Sequence, residues 1–162
     1  MNISGIVVYR QSGKRKCGGI ELGYLIRTIG LGLLLLASPA MAKSPIVAKV
    51  DISAQTMDIF VNGVKQYTFP VSTGKRGYYT PTGSYSPQRI HRMWYSRKYK
   101  MTPMPYSIFF KGGYAIHATK EVKRLGRPAS HGCVRLANAH AKTLYSLVKK
   151  YGLYKTRIIV TR

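Results

Sequence analysis

From Lys43 onward, apolar and polar positions alternate in short runs divided by turn residues, and only one stretch changes to a helical period. Ile46 to Ile52 and Thr56 to Val61 are rich in β-branched residues and predict strands. Asn62-Gly63 followed by Val64 to Val71 predicts a hairpin, because Asn-Gly accepts the positive φ angles of a tight primed turn. Thr80-Pro81-Thr82-Gly83 then punctuates before an extended stretch from Ser84 to Ile90. His91 to Pro105 has no clean period and sets Trp94, Tyr95 and Tyr99 among basic side chains, which reads as a long loop or a mobile hairpin with a functional use. Tyr106 to Phe110 and Tyr114 to His117 read as buried strands about a Gly112-Gly113 turn, and Thr156 to Thr161 as a last strand. The helical stretch is Ala137 to Lys150, where Ala141, Leu144, Leu147 and Val148 share a face. Asn138 is placed to cap its start, Lys149 and Lys150 suit the dipole at its end, and Gly152 can stop it. One mainly β domain follows, spanning residues 43–162.

The first 42 residues carry a different pattern. Ile29 to Ala37 is an apolar run of nine, with Arg10, Lys14, Arg15, Lys16 and Arg27 before it and Ser38-Pro39-Ala40-Met41-Ala42 after it. That order is the grammar of a secretory signal peptide, with cleavage expected after Ala42. The run is too short to span a bilayer, which takes about 20 apolar residues.

Composition changes the picture in two ways. The 162 residues hold 27 Lys and Arg against 4 acids, a formal net charge of +23, yet 45% of them are hydrophobic, enough for a packed core. Cutting after Ala42 would leave 22 basic residues against 3 acids and a net charge of +19. It would also remove Cys17 and leave Cys133 as the one thiol, an unusual residue in an exported protein unless its chemistry is used.

Cys133 sits in the segment that carries most information: Tyr114-Ala115-Ile116-His117-Ala118-Thr119, then Gly126-Arg127-Pro128-Ala129-Ser130-His131-Gly132-Cys133-Val134-Arg135-Leu136. A thiol attacks carbonyls once a neighbouring imidazole takes its proton. His117 ends an apolar strand, where its ring can be held rigidly. His131, two residues before Cys133, would face the same side in an extended chain. Gly132 lets backbone approach a substrate, and the N–H groups of Gly132 and Cys133 are candidates for an oxyanion site. These parts suffice for acyl transfer through a thioester.

His117, twelve residues and then Ser130-His131-Gly132-Cys133-Val134-Arg135-Leu136 closely resemble the signature of the L,D-transpeptidase (YkuD-type) catalytic domain of bacterial cell-wall enzymes. The likeness extends through Ser72-Thr73-Gly74, Thr80 to Tyr85 and Met104-Pro105-Tyr106 and covers nearly all of residues 46–161. It implies a β-sandwich-like mixed sheet with one helix, and a groove under the His91 to Pro105 segment. It implies Cys133 as nucleophile, His117 as its base, His131 shaping the site and the oxyanion region, Gly132 and Ser130 serving oxyanion or substrate binding, and Arg135 holding the substrate or its carboxylate. Ala118 stands where glycine is frequent after the base, and still offers the backbone carbonyl that orients the imidazole in the family. The implied substrates are peptidoglycan stem peptides. The acyl group would pass to water or to an amine: a stem diamino acid in a 3-3 cross-link, a free D-amino acid, or a lysine of a protein partner. Neither cofactor nor metal is implied, and the expected location is the periplasm or cell wall.

Two other classes compete with this reading. A secreted cationic module would bind anionic wall polymer, a membrane surface or nucleic acid through charge alone, although no nucleic-acid recognition motif is present. Zinc on His117, His131, Cys133 and His140 would lack a carboxylate base, since Asp51, Asp58 and Glu121 are the only acids after residue 42. Plainer roles suit the remaining residues: His91 as a solvated loop side chain, His140 as a helix-start residue, Trp94 and Tyr95 as packing or lid residues, and Glu121 as a surface partner of Lys123 or Arg124.

Overall fold

Two mixed sheets and one helix build the computed structural model, which describes residues 44–162. β1 (Ile46–Asp51), β2 (Thr56–Val61) and β3 (Val64–Pro70) form an antiparallel meander, in which Asn62 and Gly63 take φ of 51° and 84° as the primed turn requires. β4 (Gly83–Tyr85) and β9 (Thr156–Thr161) complete this first sheet in the order β3-β2-β1-β9-β4, with β1 and β9 parallel. β5 (Arg89–Ser96), β6 (Thr102–Lys111), β7 (Tyr114–Ala118) and β8 (Val134–Leu136) form the second sheet in chain order, with β7 and β8 parallel. The α1 helix (Asn138–Tyr151) lies against β6, β7 and β1. The expected leader, residues 1–42, lies outside the described residues.

The period of two decides which residues enter the core. Along β6, β7 and β8, Ile108, Phe110, Ile116, Ala118, Val134 and Leu136 face inward and meet Val50, Met57, Ile59 and Ile158 of the first sheet and Ala141, Leu144 and Val148 of α1. Their neighbours Phe109 and Ala115 point the other way and form a smaller cluster with Met104, flanked by Trp94 and Cys133. The second sheet is therefore packed on both faces, and its outer face carries Cys133.

Two expectations need correction and one is narrowed. The stretch from Ser84 to Ile90 is not one strand: Pro87, which cannot donate to a ladder, separates β4 in the first sheet from β5 in the second. Of the two readings for His91 to Pro105, the structure takes the hairpin, and a regular one, with Trp94 opposite Met104 and Tyr95 opposite Pro103. Its period is hidden because Tyr106 takes φ of 53°, which breaks the alternation, so that Met104 and Trp94 join the same outer face as Phe109. The third concerns α1, whose N-cap is Ala137 with no side-chain cap, so Asn138 is its first helical residue instead. Gly152 ends it as expected, with its N–H bonded to the Val148 carbonyl.

Candidate active site

The parallel pairing of β7 with β8 brings the two halves of the sequence pattern together. Its register sets Ile116 beside Val134 and His117 beside Arg135, and one step back brings Cys133 beside Ala115, with its Sγ 3.9 Å from the Gly113 carbonyl oxygen. Because Ile116 and Val134 enter the core, Ala115, His117, Cys133 and Arg135 all take the outer face. His117 and Cys133 are one strand and two residues apart, about 8 Å between their Cα atoms, a spacing that lets side chains meet. Both line a cleft of about 560 Å³ together with His131, Ser130 and Arg135 from the same loop and strand, and Trp94, Tyr99 and Met104 from the hairpin.

His117 is 7% exposed, and its Nδ1 lies 2.7 Å from the Ala118 carbonyl oxygen. A carbonyl only accepts, so Nδ1 must carry the proton and Nε2 is left as the basic nitrogen. Burial pushes the imidazole down to about pKa 4, the Ala118 carbonyl partly opposes this, and the Arg135 charge adds to it. The Cys133 thiol is raised, chiefly by burial, against a smaller lowering by the Ala115 N–H and Arg135. Both groups are therefore neutral at rest at neutral pH, and no thiolate stands preformed.

The loop before β8 is held from within. Ser130 is fully buried; its hydroxyl donates to the Cys133 carbonyl at 2.5 Å and accepts from the Gly132 N–H at 3.0 Å. The Gly132 N–H, a candidate oxyanion donor, is thus already engaged by Ser130, and the Ser130 hydroxyl proton by the Cys133 carbonyl. Gly132 is needed for another reason: at φ +107°, a Cβ there would meet the Tyr114 ring at 2.6 Å. The segment after β3 braces the same loop. Ser72 exchanges backbone bonds with Arg135, Thr73 accepts from the Ser130 N–H, and a Cβ on Gly74 would overlap the Tyr78 carbonyl.

Arg135 lines the cleft, but its Nη1 already bonds Glu121 Oε2 at 2.8 Å. Glu121 also lies 3.4 Å from Arg124, so the expected Arg124 partnership holds, while Arg135 and not Lys123 is its shorter contact. His131 is clamped between rings, with Tyr78 edge-on at 4.4 Å between centroids and Tyr99 stacked at 5.0 Å. Its pKa is lowered by desolvation and by Lys75, Arg135 and Lys98. Tyr99, in the turn of the β5–β6 hairpin, was not singled out as a site residue by sequence, and its stack ties that turn to the loop carrying Cys133. Trp94 lines the cleft whereas Tyr95 is 49% exposed. His91 is not solvated as expected; it packs against Trp94 and Phe109 with Nε2 buried. His140, at the start of α1, stacks on Phe69 at 4.2 Å, far from the expected chemistry in role, and is a packing residue.

Comparison with known proteins agrees with this architecture. The family model described as the L,D-transpeptidase catalytic domain, YkuD, matches residues 45–160. The L,D-transpeptidase homologue YkuD of Bacillus subtilis is 25% identical over 139 residues, covering 83% of this chain and 77% of its own. An L,D-transpeptidase structure from Stackebrandtia nassauensis aligns with a TM-score of 0.65 at 28% identity, over 75% of this chain and 57% of its own. The LD transpeptidase LdtMt1 in complex with imipenem shares the fold, with a TM-score of 0.64 at 24% identity over 72% of this chain and 59% of its own. The chain thus spans less than two thirds of the length of these two solved proteins. With the matching model covering the helix and both sheets except the last residue of β9, this chain belongs to the YkuD family of L,D-transpeptidase catalytic domains.

Proposed function

We propose that the chain is a cysteine-dependent peptidoglycan L,D-transpeptidase, exported by its first 42 residues to the periplasm or cell wall. The observation that carries the mechanism is a buried neutral imidazole, its Nδ1 tied to the Ala118 carbonyl, on the same sheet face as the Cys133 thiol and in the same cleft.

The reaction begins from neutral partners. As Sγ of Cys133 bonds to the carbonyl carbon of the third stem residue, its proton passes to Nε2 of His117. The Nδ1–H bond to the Ala118 carbonyl strengthens as the ring becomes cationic. With the Gly132 N–H engaged by Ser130, the oxyanion falls to the N–H of Cys133 itself. The imidazolium then protonates the departing amine, the bond to the terminal D-alanine breaks, and a thioester remains. An incoming amine gives its proton to Nε2 as it attacks, and collapse returns Cys133 to the thiol. The acceptor is a stem diamino acid, a free D-amino acid or a protein lysine, and the cationic surface holds the enzyme near anionic wall or membrane.

The test is Cys133→Ala. It is expected to abolish release of D-alanine from tetrapeptide stems and to lose the mass adduct that a carbapenem leaves on the intact protein. Undiminished release by the alanine variant would refute the mechanism.

A further inference from the structure

We infer that Arg89 recognises the free carboxylate of the residue that leaves, and so selects stems ending one residue beyond the bond that is cut. The inference rests on the transpeptidase reading above and adds a specificity-determining residue to it. Arg135, the arginine nearest the thiol in sequence, already spends its Nη1 on Glu121. Every acid among the described residues is likewise engaged. Asp51 accepts from Ser53 and Ala54, Asp58 meets Lys65 and Thr68, and Glu121 takes Arg124 and Arg135. Arg89 lines the cleft, and no acidic partner is left for it among those residues.

Its placement follows from register. Arg89 pairs with Phe109 and Phe109 with Ala115, and Cys133 follows Ala115, so the four lie in one row across the second sheet. The guanidinium lies over the ring of Phe109, its neighbour in that row, 3.9 Å from the centroid, and 5.8 Å from that of Trp94. Held on an aromatic face, it keeps its edge donors for an incoming carboxylate, the geometry a guanidinium suits best. Phe109 is two strands from Cys133, about 10 Å. After the reach of the thiol and a charge-assisted hydrogen bond of about 2.8 Å, that distance leaves space for about one residue of substrate, about 3.8 Å. The carboxylate one residue beyond the attacked carbonyl is the C-terminus of the leaving D-amino acid.

The experiment compares three tetrapeptide stems: one with a free C-terminus, one with a C-terminal amide, and one amidated at the carboxyl of its second residue. D-alanine or D-alaninamide release gives kcat/KM, and fluorescence of Trp94, the only tryptophan in the chain, gives Kd in the full-length Cys133→Ala protein. The wild type is expected to prefer the free C-terminus over the C-terminal amide by about 10- to 100-fold, the value of an ionic hydrogen-bonded pair. Arg89→Gln should bring that ratio close to one, and Arg89→Lys, which keeps charge but not the planar fork, should fall between. Discrimination that survives Arg89→Gln, or that Arg89→Gln removes only for the second-residue amide, would overturn the assignment. Wild-type protein that distinguishes no stem yet releases product from all would also overturn it and leave the transpeptidase reading standing. Release from none would remove both.

Discussion

His117 makes the stability of this domain depend on pH, and the dependence follows from its burial. The imidazole has a pKa of about 4 in the folded protein against 6.5 for the ordinary group, so between those values the unfolded chain binds more protons and stability falls as pH falls. The contribution is fully present above pH 6.5 and is lost toward pH 4. For this pair of values the loss between pH 8 and pH 4.5 is about 2.5 kcal/mol. His131 shifts in the same direction, so the comparison belongs in a His131→Asn background, while Asp51, lowered from 3.8 mainly by the Ser53 hydroxyl, titrates below the window. Urea unfolding followed by Trp94 fluorescence at pH 8, 6 and 4.5 should show that His117 costs the parent about 2.5 kcal/mol more than His117→Asn loses over the same interval. Equal losses in the two proteins would refute the claim that the ring is buried in its neutral form.

The same residues support further tests. In kcat/KM for D-alanine release, the acid limb should fall well below pH 6.5, because the base is already neutral there; a limb centred at or above 6.5 would contradict the lowered pKa of His117. Gly132→Ala places a Cβ against Tyr114 at a positive φ and should cost about 2–4 kcal/mol in urea unfolding, with a sharply slower carbapenem adduct; a neutral result would mean that the loop relaxes freely. Ser130→Ala removes two hydrogen bonds from a fully buried position and should destabilise by about 1–3 kcal/mol, and acylation of Cys133 should slow as the loop loses its brace. Tyr99→Ala removes the ring stacked on His131 and should raise KM for stem peptides much more than it lowers kcat; an equal fall in kcat would give Tyr99 a part in the chemistry.

Some of the site was legible before any coordinates. Ala115-Ile116-His117-Ala118 alternates on a period of two, so a buried Ile116 already sends His117 to the opposite face. Ala118, in place of glycine, was expected to keep its carbonyl for the imidazole, and the 2.7 Å contact is there. The hydrogen-bond economy of the loop was not legible. Whether the Gly132 N–H is spare depends on where the Ser130 hydroxyl turns, and that is settled by neighbours from Thr73 and Lys75 that lie far away in sequence. The hairpin could not be told from a loop for a local reason. Pro103 and Pro105 discourage a strand reading, yet β7 pairs with β6 only from Ile108 onward, leaving those prolines on an open edge that needs no donor.

What the sequence determined by itself is therefore local: the Asn62-Gly63 turn, the amphipathic α1, the alternation within each strand, and the residue types able to carry acyl transfer. Tertiary structure decided which of those residues meet. The β7–β8 register aligns His117 with the strand that follows Cys133, the left-handed Tyr106 turns the hairpin's side chains into the cleft, and Glu121 pairs with Arg124 and Arg135 while Arg89 has no acidic partner among the described residues. Backbone preferences act over a few residues, whereas register, burial and charge pairing exist only once distant segments share one face and displace the same water.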